Sequence, residues 1–447
     1  MEEPGNEGHD AGDVEDTAVL ESDAIAAPVE VSARFLSLRR AFSAFAYPDY
    51  RLLWSGSFLS NVGTWIHMAA LFWLVKVFTG SDAWVGAVNL ANLAPVLFLS
   101  LYAGSLADRL NRKAIIVTTQ GVMMLAALTL AVFASFGRAG LPVIMITTTV
   151  MGVAFSLNFP AWRAVIPDLV KREDMLNGIA LDAAGFNLAR FLGPALGALV
   201  LEAWGADAAF YINAASFLAV IVGVLLIRTR TPGTAASPGG AGRHIREALS
   251  YVWRERWAFN LLFLMGAFSL FGLPYIVLLP GVARDVLGRG SGAYGLMLGA
   301  TGLGAALSAP LVTLVNRRFS ERTIVKACGL LASLLLLAFS FSRRLWLSVL
   351  ISFFLGSGYL MLSSSVNTVL QSRVEREMRG RIVALVIMVM QGLYPLGGMA
   401  LGWMADLRSA PLALALGALA CLATSAAAVA FPSLLKDAVS PAWLGRG

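Results

Sequence analysis

Arg190 stands in an otherwise apolar run, NLARFLGPALGALV (Asn187–Val200), and Asp182 precedes it in the same hydrophobic stretch. An arginine keeps its proton in a protein, so it does no acid–base work; its planar fork recognises carboxylate, phosphate or carbonyl oxygen. Burial disfavours the charge of a carboxylate and lets it take up a proton. Asp182 is therefore the candidate proton carrier, the alternative being a solvated carboxylate near an interface. His67 titrates near neutrality when unperturbed, or else serves as a hydrogen-bonding spacer. Asn61, Asn158, Arg163, Asn367, Gln391 and Tyr394 add hydrogen-bonding groups at intervals through apolar sequence. Such a set binds a solute and moves protons. It does not break covalent bonds: no nucleophile–base pair, H-E-x-x-H, G-x-S-x-G or Walker sequence occurs. Cys328 and Cys421 lie far apart in apolar runs, and His9, His67 and His244 are scattered, which disfavours a metal site.

What must position these residues follows from composition. Of 447 residues, 58% are hydrophobic and 14% charged, against about 25% charged in soluble domains. A helix crosses a bilayer core with about 20 apolar residues. Twelve such runs are present, at 52–78, 83–107, 114–136, 141–163, 176–203, 206–227, 258–283, 292–315, 322–341, 345–369, 382–405 and 411–432. The expected fold is an all-α polytopic membrane protein of twelve transmembrane helices in two six-helix halves. The division reads as an acidic cytoplasmic tail (1–44), an N-terminal half (45–230), a cytoplasmic linker (231–257), a C-terminal half (258–435) and a second tail (436–447). Residues 1–33 hold ten acidic side chains and no apolar core segment, so they read as a disordered tail and not as a signal peptide.

Lysine and arginine concentrate in alternate connections, among them Arg109, Arg112 and Lys113, then Lys171 and Arg172, then Arg373, Arg376, Arg379 and Arg381. The positive-inside rule puts those connections, and both termini, in the cytoplasm. The linker opens with TPGTAASPGGAG and continues as RHIREALSYVWRERW, with Ile245, Leu249, Val252 and Trp253 on one helical face and arginines on the other. This is the pattern of a helix at the lipid surface, or of a solvated linker helix. The halves echo one another: VKREDMLNGIAL followed by GPALG resembles VEREMRGRIVAL followed by YPLGG. Internal repeats of this kind place a solute site between the halves near mid-membrane.

After the second span comes GSLADRLNRK. It resembles the loop motif of the major facilitator superfamily, with Gly104, Asp108, Arg109, Arg112 and Lys113 matching; Asn111 replaces a glycine, which asks for a left-handed turn there. The resemblance implies a gating role in which Asp108 latches the outward-facing state. ARFLGPALGA in the fifth span resembles the Gly-Pro motif of proton-driven exporters, with Gly193, Pro194 and Gly197 as a helix-bend motif. LNFPAWRAVIPDLV, FYINAASFLAV and RGRIVAL extend the likeness to the branch that holds enterobactin exporters and multidrug pumps. By contrast GSGAYG (Gly290–Gly295) precedes a membrane span and follows no strand, so it is no nucleotide site; Gly295, Gly299 and Gly302 read as close helix packing.

The resemblance implies a monomeric secondary transporter without cofactor in the cell membrane. It would export a small amphipathic molecule in exchange for protons by alternating access, with no nucleic-acid partner. An ion-coupled importer of the same fold, a lipid flippase and a non-transporting membrane sensor remain the alternatives. Arg190 either serves an anionic solute or is structural, bonding backbone carbonyls, Asn187 or Asn213.

Overall fold

Long apolar segments bounded by Gly, Pro and short polar turns become long helices, since in lipid each backbone N–H and C=O must be satisfied within its own segment. The computed structural model describes residues 42–229 and 241–430, apart from the side chains of 100–109, 241–245, 309, 310, 313, 314, 316, 317, 376 and 377. The expected tail 436–447, nearly all of the tail 1–44 and the start of the linker lie outside those residues.

Helices α1 (Pro48–Thr79), α2 (Asp82–Arg109), α3 (Arg112–Ser135) and α4 (Leu141–Leu169) are followed by a continuous segment, Met175–Leu226. At 1.5 Å per residue that segment would be about 80 Å long, far more than a bilayer needs. It is two crossings: Gly205, at φ 87°, is the non-helical position inside it, and only glycine takes such a φ without strain. The arms 175–204 and 206–226 are α5 and α6. The second half comprises α7 (Arg256–Val286), α8 (Ser291–Arg318), α9 (Glu321–Phe341), α10 (Leu345–Arg373), α11 (Arg376–Leu407) and α12 (Ala410–Ala430). Two π-helical turns, Phe268–Gly272 and Val282–Val286, interrupt α7. The chain is an all-α polytopic membrane protein; the end of the bundle where α1 starts and α12 finishes is called the tail end below, the opposite one the far end.

Small residues decide which helices meet. α1 lies along α5, where a Cβ on Gly193 would run into Trp65, and one on Gly197 would stand 3.2 Å from the Cα of Ile66. Toward the tail end the Tyr50 hydroxyl donates to the Gly178 carbonyl (2.7 Å) and the Trp54 indole N–H to that of Leu181 (2.9 Å), tying α1 to α5. Just before α1, the Tyr47 hydroxyl donates to Asp174 (2.7 Å), and that bond, more than burial, holds its pKa above the ordinary phenol value. Gly152 admits α2 against α4 at Asn92, and Gly356 admits α8 against α10 at Thr301. These are equivalent helix pairs of the two halves, as the repeat implies.

The linker helix, Ala241–Arg254, seats Ala248 and Val252 on the second half, and Glu247 pairs with Arg381 of α11 (2.8 Å). Its opposite edge leaves Leu249 exposed and Trp253 72% exposed against Phe259. The apolar face predicted from sequence is thus divided between protein and surroundings.

Candidate functional site: the interface between the halves

Two helix crossings join the halves, α5 with α8 and α2 with α11. They are the same crossing repeated, the fifth helix of one half on the second helix of the other. At the first, a Cβ on Gly295 would run into Ala198, one on Gly299 would stand 3.4 Å from the Cβ of Ala195, and one on Gly302 would stand 2.9 Å from the Arg190 carbonyl oxygen. At the second, a Cβ on Gly86 would be 2.6 Å from the Gly398 carbonyl oxygen, and Gly392 faces Leu97. Glycines here let backbones of opposite halves touch.

The far end of this interface is built of charge. Lys76, 1% exposed, pairs with Asp82 of α2 (2.9 Å) and with Asp285 of α7 (2.7 Å), and donates to the Gly80 carbonyl (3.1 Å). The Arg284 guanidinium donates to the carbonyl oxygens of Lys76 (2.8 Å) and Val77 (3.2 Å) at the end of α1. Asp406 of α11 accepts from the backbone N–H of Asp82 (2.7 Å) and Ala83 (3.1 Å) and from the Ser81 hydroxyl. A carboxylate on the first N–H groups of a helix is a cap and meets the positive end of its dipole; here the cap on α2 comes from the other half. A far-end pocket of about 780 Å³ lies over this cluster, lined among others by Lys76, Asp82, Asp285, Arg343 and Asp406. Lys76, Arg284 and Asp406 thus tie α1–α6 to α7–α12 at this end.

At mid-depth stands Arg190, about 22 Å along α5 from its start. Its guanidinium lies over the Trp65 ring, 5.7 Å from the centroid. Across the crossing with α8, the Arg190 carbonyl oxygen faces Gly302. The Tyr275 hydroxyl shares a hydrogen bond with Thr301 (2.8 Å), the residue before Gly302. The buried hydroxyls of Tyr359 and Ser269 lie near each other without hydrogen-bond geometry. No described carboxylate lies within ion-pair distance of Arg190. The amides considered as its structural partners are engaged elsewhere: Asn187 donates to the Ala183 carbonyl (2.8 Å), and Asn213 meets Thr64 and Ser216.

Toward the tail end on α5, Asp182 accepts from the Trp162 indole (3.2 Å) and feels the charge of Arg163, whose guanidinium lies over Phe159 (5.2 Å). Other residues singled out from sequence are dispersed. Asn61 donates to Ser57 (3.1 Å) within α1, Asn367 to the Ser363 carbonyl (3.0 Å) within α10, and Gln391 is exposed on α11. Asn158 donates to Thr119 (2.7 Å) between α4 and α3, inside the first half. His67 packs on Phe210 of α6 (4.7 Å between centroids), its nitrogens buried without partners.

Of the loop motif, Gly104, Asp108 and Arg109 lie at the end of α2, where side chains fall outside the described residues. Arg112 pairs with Asp168 of α4 (2.7 Å) and donates to the Ala164 carbonyl (2.9 Å); the Lys113 ammonium donates to the Ile227 carbonyl (2.7 Å). Asn111 corrects an expectation. Its φ is −60°, and its side chain accepts from the N–H of Lys113 and Ala114. It caps α3 in extended conformation, a stable use of a short amide, and no left-handed turn is present. In α5 helical geometry continues through Gly193, Pro194 and Gly197.

Sequence reasoning did not single out Lys76 and missed the cluster around it. The signal was there in LFWLVKVFTGSD, a lysine inside an apolar run six residues before an aspartate.

Known proteins agree with this architecture. The family described as transmembrane secretion effector matches residues 39–441. The staphyloferrin A transporter of Staphylococcus aureus is 23% identical over 364 residues, covering 80% of this chain and 89% of that protein. The multidrug efflux pump Tap of Mycobacterium bovis is 25% identical over 407 residues, covering 88% and 96%. Among solved structures, the nucleoside transporter NupG aligns with a TM-score of 0.69 at 15% identity, covering 86% of this chain and 99% of that one. A bacterial homologue of the lysosomal transporter Spinster, in an inward-facing and occupied conformation, aligns with a TM-score of 0.68 at 14% identity, covering 90% and 99%. Two six-helix halves meeting at repeated small-residue crossings, with a match over nearly the whole chain, identify it: it belongs to the transmembrane secretion effector family of the major facilitator superfamily and is a multi-pass membrane transporter, not an enzyme.

Proposed function

We propose that this transporter is a proton-coupled exporter of a small amphipathic molecule, working by alternating access as a monomer with both termini in the cytoplasm. The observation that carries the reading is the charged closure at the far end, above an unpaired arginine held between the halves at mid-depth. With the basic connections inside, the tail end faces the cytoplasm and the far end the exterior. The conformation is then inward-facing: the exterior is closed by Lys76, Asp285 and Asp406, and cargo reaches the Arg190 level from the cytoplasm. Opening to the exterior requires those ties to part while the tail end closes, and the family motif assigns Asp108 to that second closure.

Asp182 is the proposed proton carrier. It lies on the same helix as Arg190, on the cytoplasmic side, beside the solute route. Release of a proton there in the inward-facing state leaves a carboxylate beside Arg163 and Trp162. Export is favoured over import by the relatives whose names describe multidrug efflux pumps.

The test is accumulation of a chemically broad compound panel in an efflux-deficient bacterial host. Export predicts lower accumulation with the wild-type chain, abolished by a protonophore and by Asp108→Asn. Higher accumulation with the wild-type chain reverses the direction and leaves the importer reading.

A further inference from the structure

The Arg190 level has a composition that selects its cargo. The cation is permanent, and at mid-membrane it is costly unless it meets a partner or lines a cavity. Its contact is the face of Trp65, and no described carboxylate pairs with it. Across the interface Gly302 of α8 meets the Arg190 backbone, and its neighbour Thr301 holds the Tyr275 hydroxyl, which is thus committed. This place supplies a positive charge beside an aromatic face. It lacks a negative charge to match: Asp182 lies about 12 Å away along the same helix, engaged with Trp162.

From the unpaired Arg190 guanidinium over the Trp65 ring, at the crossing where Gly302 of the other half meets it, we infer that the cargo is an amphipathic organic anion. Its carboxylate or sulfonate seats on Arg190, and its flat apolar body lies against the Trp65 ring. The inference rests on the transporter reading above. A cation would meet Arg190 with like charge. A neutral amide of the same shape would lose the charge-assisted bond, which is about twice as strong as a neutral one. The anion bridges halves that approach at Gly302, so binding there reports directly to the interface that must rock.

The test uses the full chain in lipid nanodiscs and everted vesicles. The probes are naphthalene-2-carboxylate and naphthalene-2-sulfonate, their amides, and tetraphenylphosphonium as an amphipathic cation. Thermal stabilisation and quenching of tryptophan fluorescence report binding, and energised uptake into the vesicles reports export. The expected result is anion binding at least tenfold tighter than that of the matched amide. Arg190→Gln should lose it tenfold or more, and Arg190→Lys should restore part, at unchanged melting temperature of the unliganded proteins. Equal binding of anion and amide, or anion binding unchanged in Arg190→Gln, overturns the inference. Uptake of tetraphenylphosphonium or an amide without any anion bound overturns it while leaving export standing. If no probe is bound or moved by the wild-type chain, the anion class and broad export are both rejected.

Discussion

Lys76 and Asp285 lie 2.7 Å apart at the far end, one on the first helix of the N-terminal half and the other on the first helix of the C-terminal half. The same ammonium holds Asp82, so one buried cation ties three helices. Asp82 is buried with Lys76 whereas Asp285 is half exposed, so removing Lys76 leaves the Asp82 charge uncompensated, typically at about 3–5 kcal/mol, and also removes the tie to Asp285. Lys76→Met should therefore open the far end. In a chain with Cys328 and Cys421 replaced by alanine, a cysteine at Trp73, which stacks on Tyr294 of the other half, should react with an impermeant thiol reagent from outside at least severalfold faster. An unchanged rate would mean that the pair does not hold the closure.

Asp406→Asn should act in the same direction but more weakly. It retains an oxygen acceptor for the α2 N–H groups and loses the charge that complements the helix dipole, an effect of about 0.3–1 kcal/mol. Asp406→Ala removes the cap altogether, at about 1 kcal/mol. The order Ala above Asn above wild type in the same labelling measurement is the expected result; any other order assigns Asp406 to the pocket and not to the cap.

Gly295→Ala sets a methyl group against Ala198 at the crossing of α5 and α8, whereas a Cβ on Gly121 meets nothing within 4 Å. The first substitution should slow transport by about tenfold or more with protein level maintained, since it disfavours one state of the cycle. Gly121→Ala should be silent in both. Transport rates normalised to membrane protein separate the two.

Within the loop motif two arginine and aspartate roles should separate. Arg112 is buried and paired with Asp168 inside the first half, so Arg112→Ala should lower the amount of folded protein. Asp108→Asn should lower turnover and leave the amount unchanged. Equal loss of protein in both would make Asp108 a folding element.

Asp182→Asn should abolish uphill export while leaving downhill counterflow within about twofold, because the neutral amide keeps an acceptor for the Trp162 indole but carries no proton. Export that still follows an imposed pH gradient in this variant would move coupling to another group.

Much of this arrangement was legible residue by residue. Arg190 was recognisable as a charge without an evident partner. The GPALG and YPLGG repeat marked the two helices that cross between halves, and Gly295, Gly299 and Gly302 marked the surface that α5 meets. The Asn111 conformation was misjudged because a motif position says which residue is replaced, and not which backbone the replacement adopts; a nearby helix start offered it a cap. His67 and Asn158 looked like solute-facing groups from polarity alone, and they point to α6 and α3 within their own half.

The sequence by itself determined that the chain is an all-α polytopic membrane protein and that Arg190 stands deep in one of its apolar runs. These are one-dimensional properties: bilayer thickness imposes a length on each apolar run, and lysine and arginine bias is counted along the chain. Only the tertiary structure decided that Lys76 is shared between Asp82 and Asp285, or that Asp406 caps a helix 324 residues earlier in the chain. A membrane helix is apolar on most of its circumference, so periodicity does not say which face meets which neighbour. Rotation and register are set by the fit of small residues against backbone, and that fit exists only once the two halves are packed together.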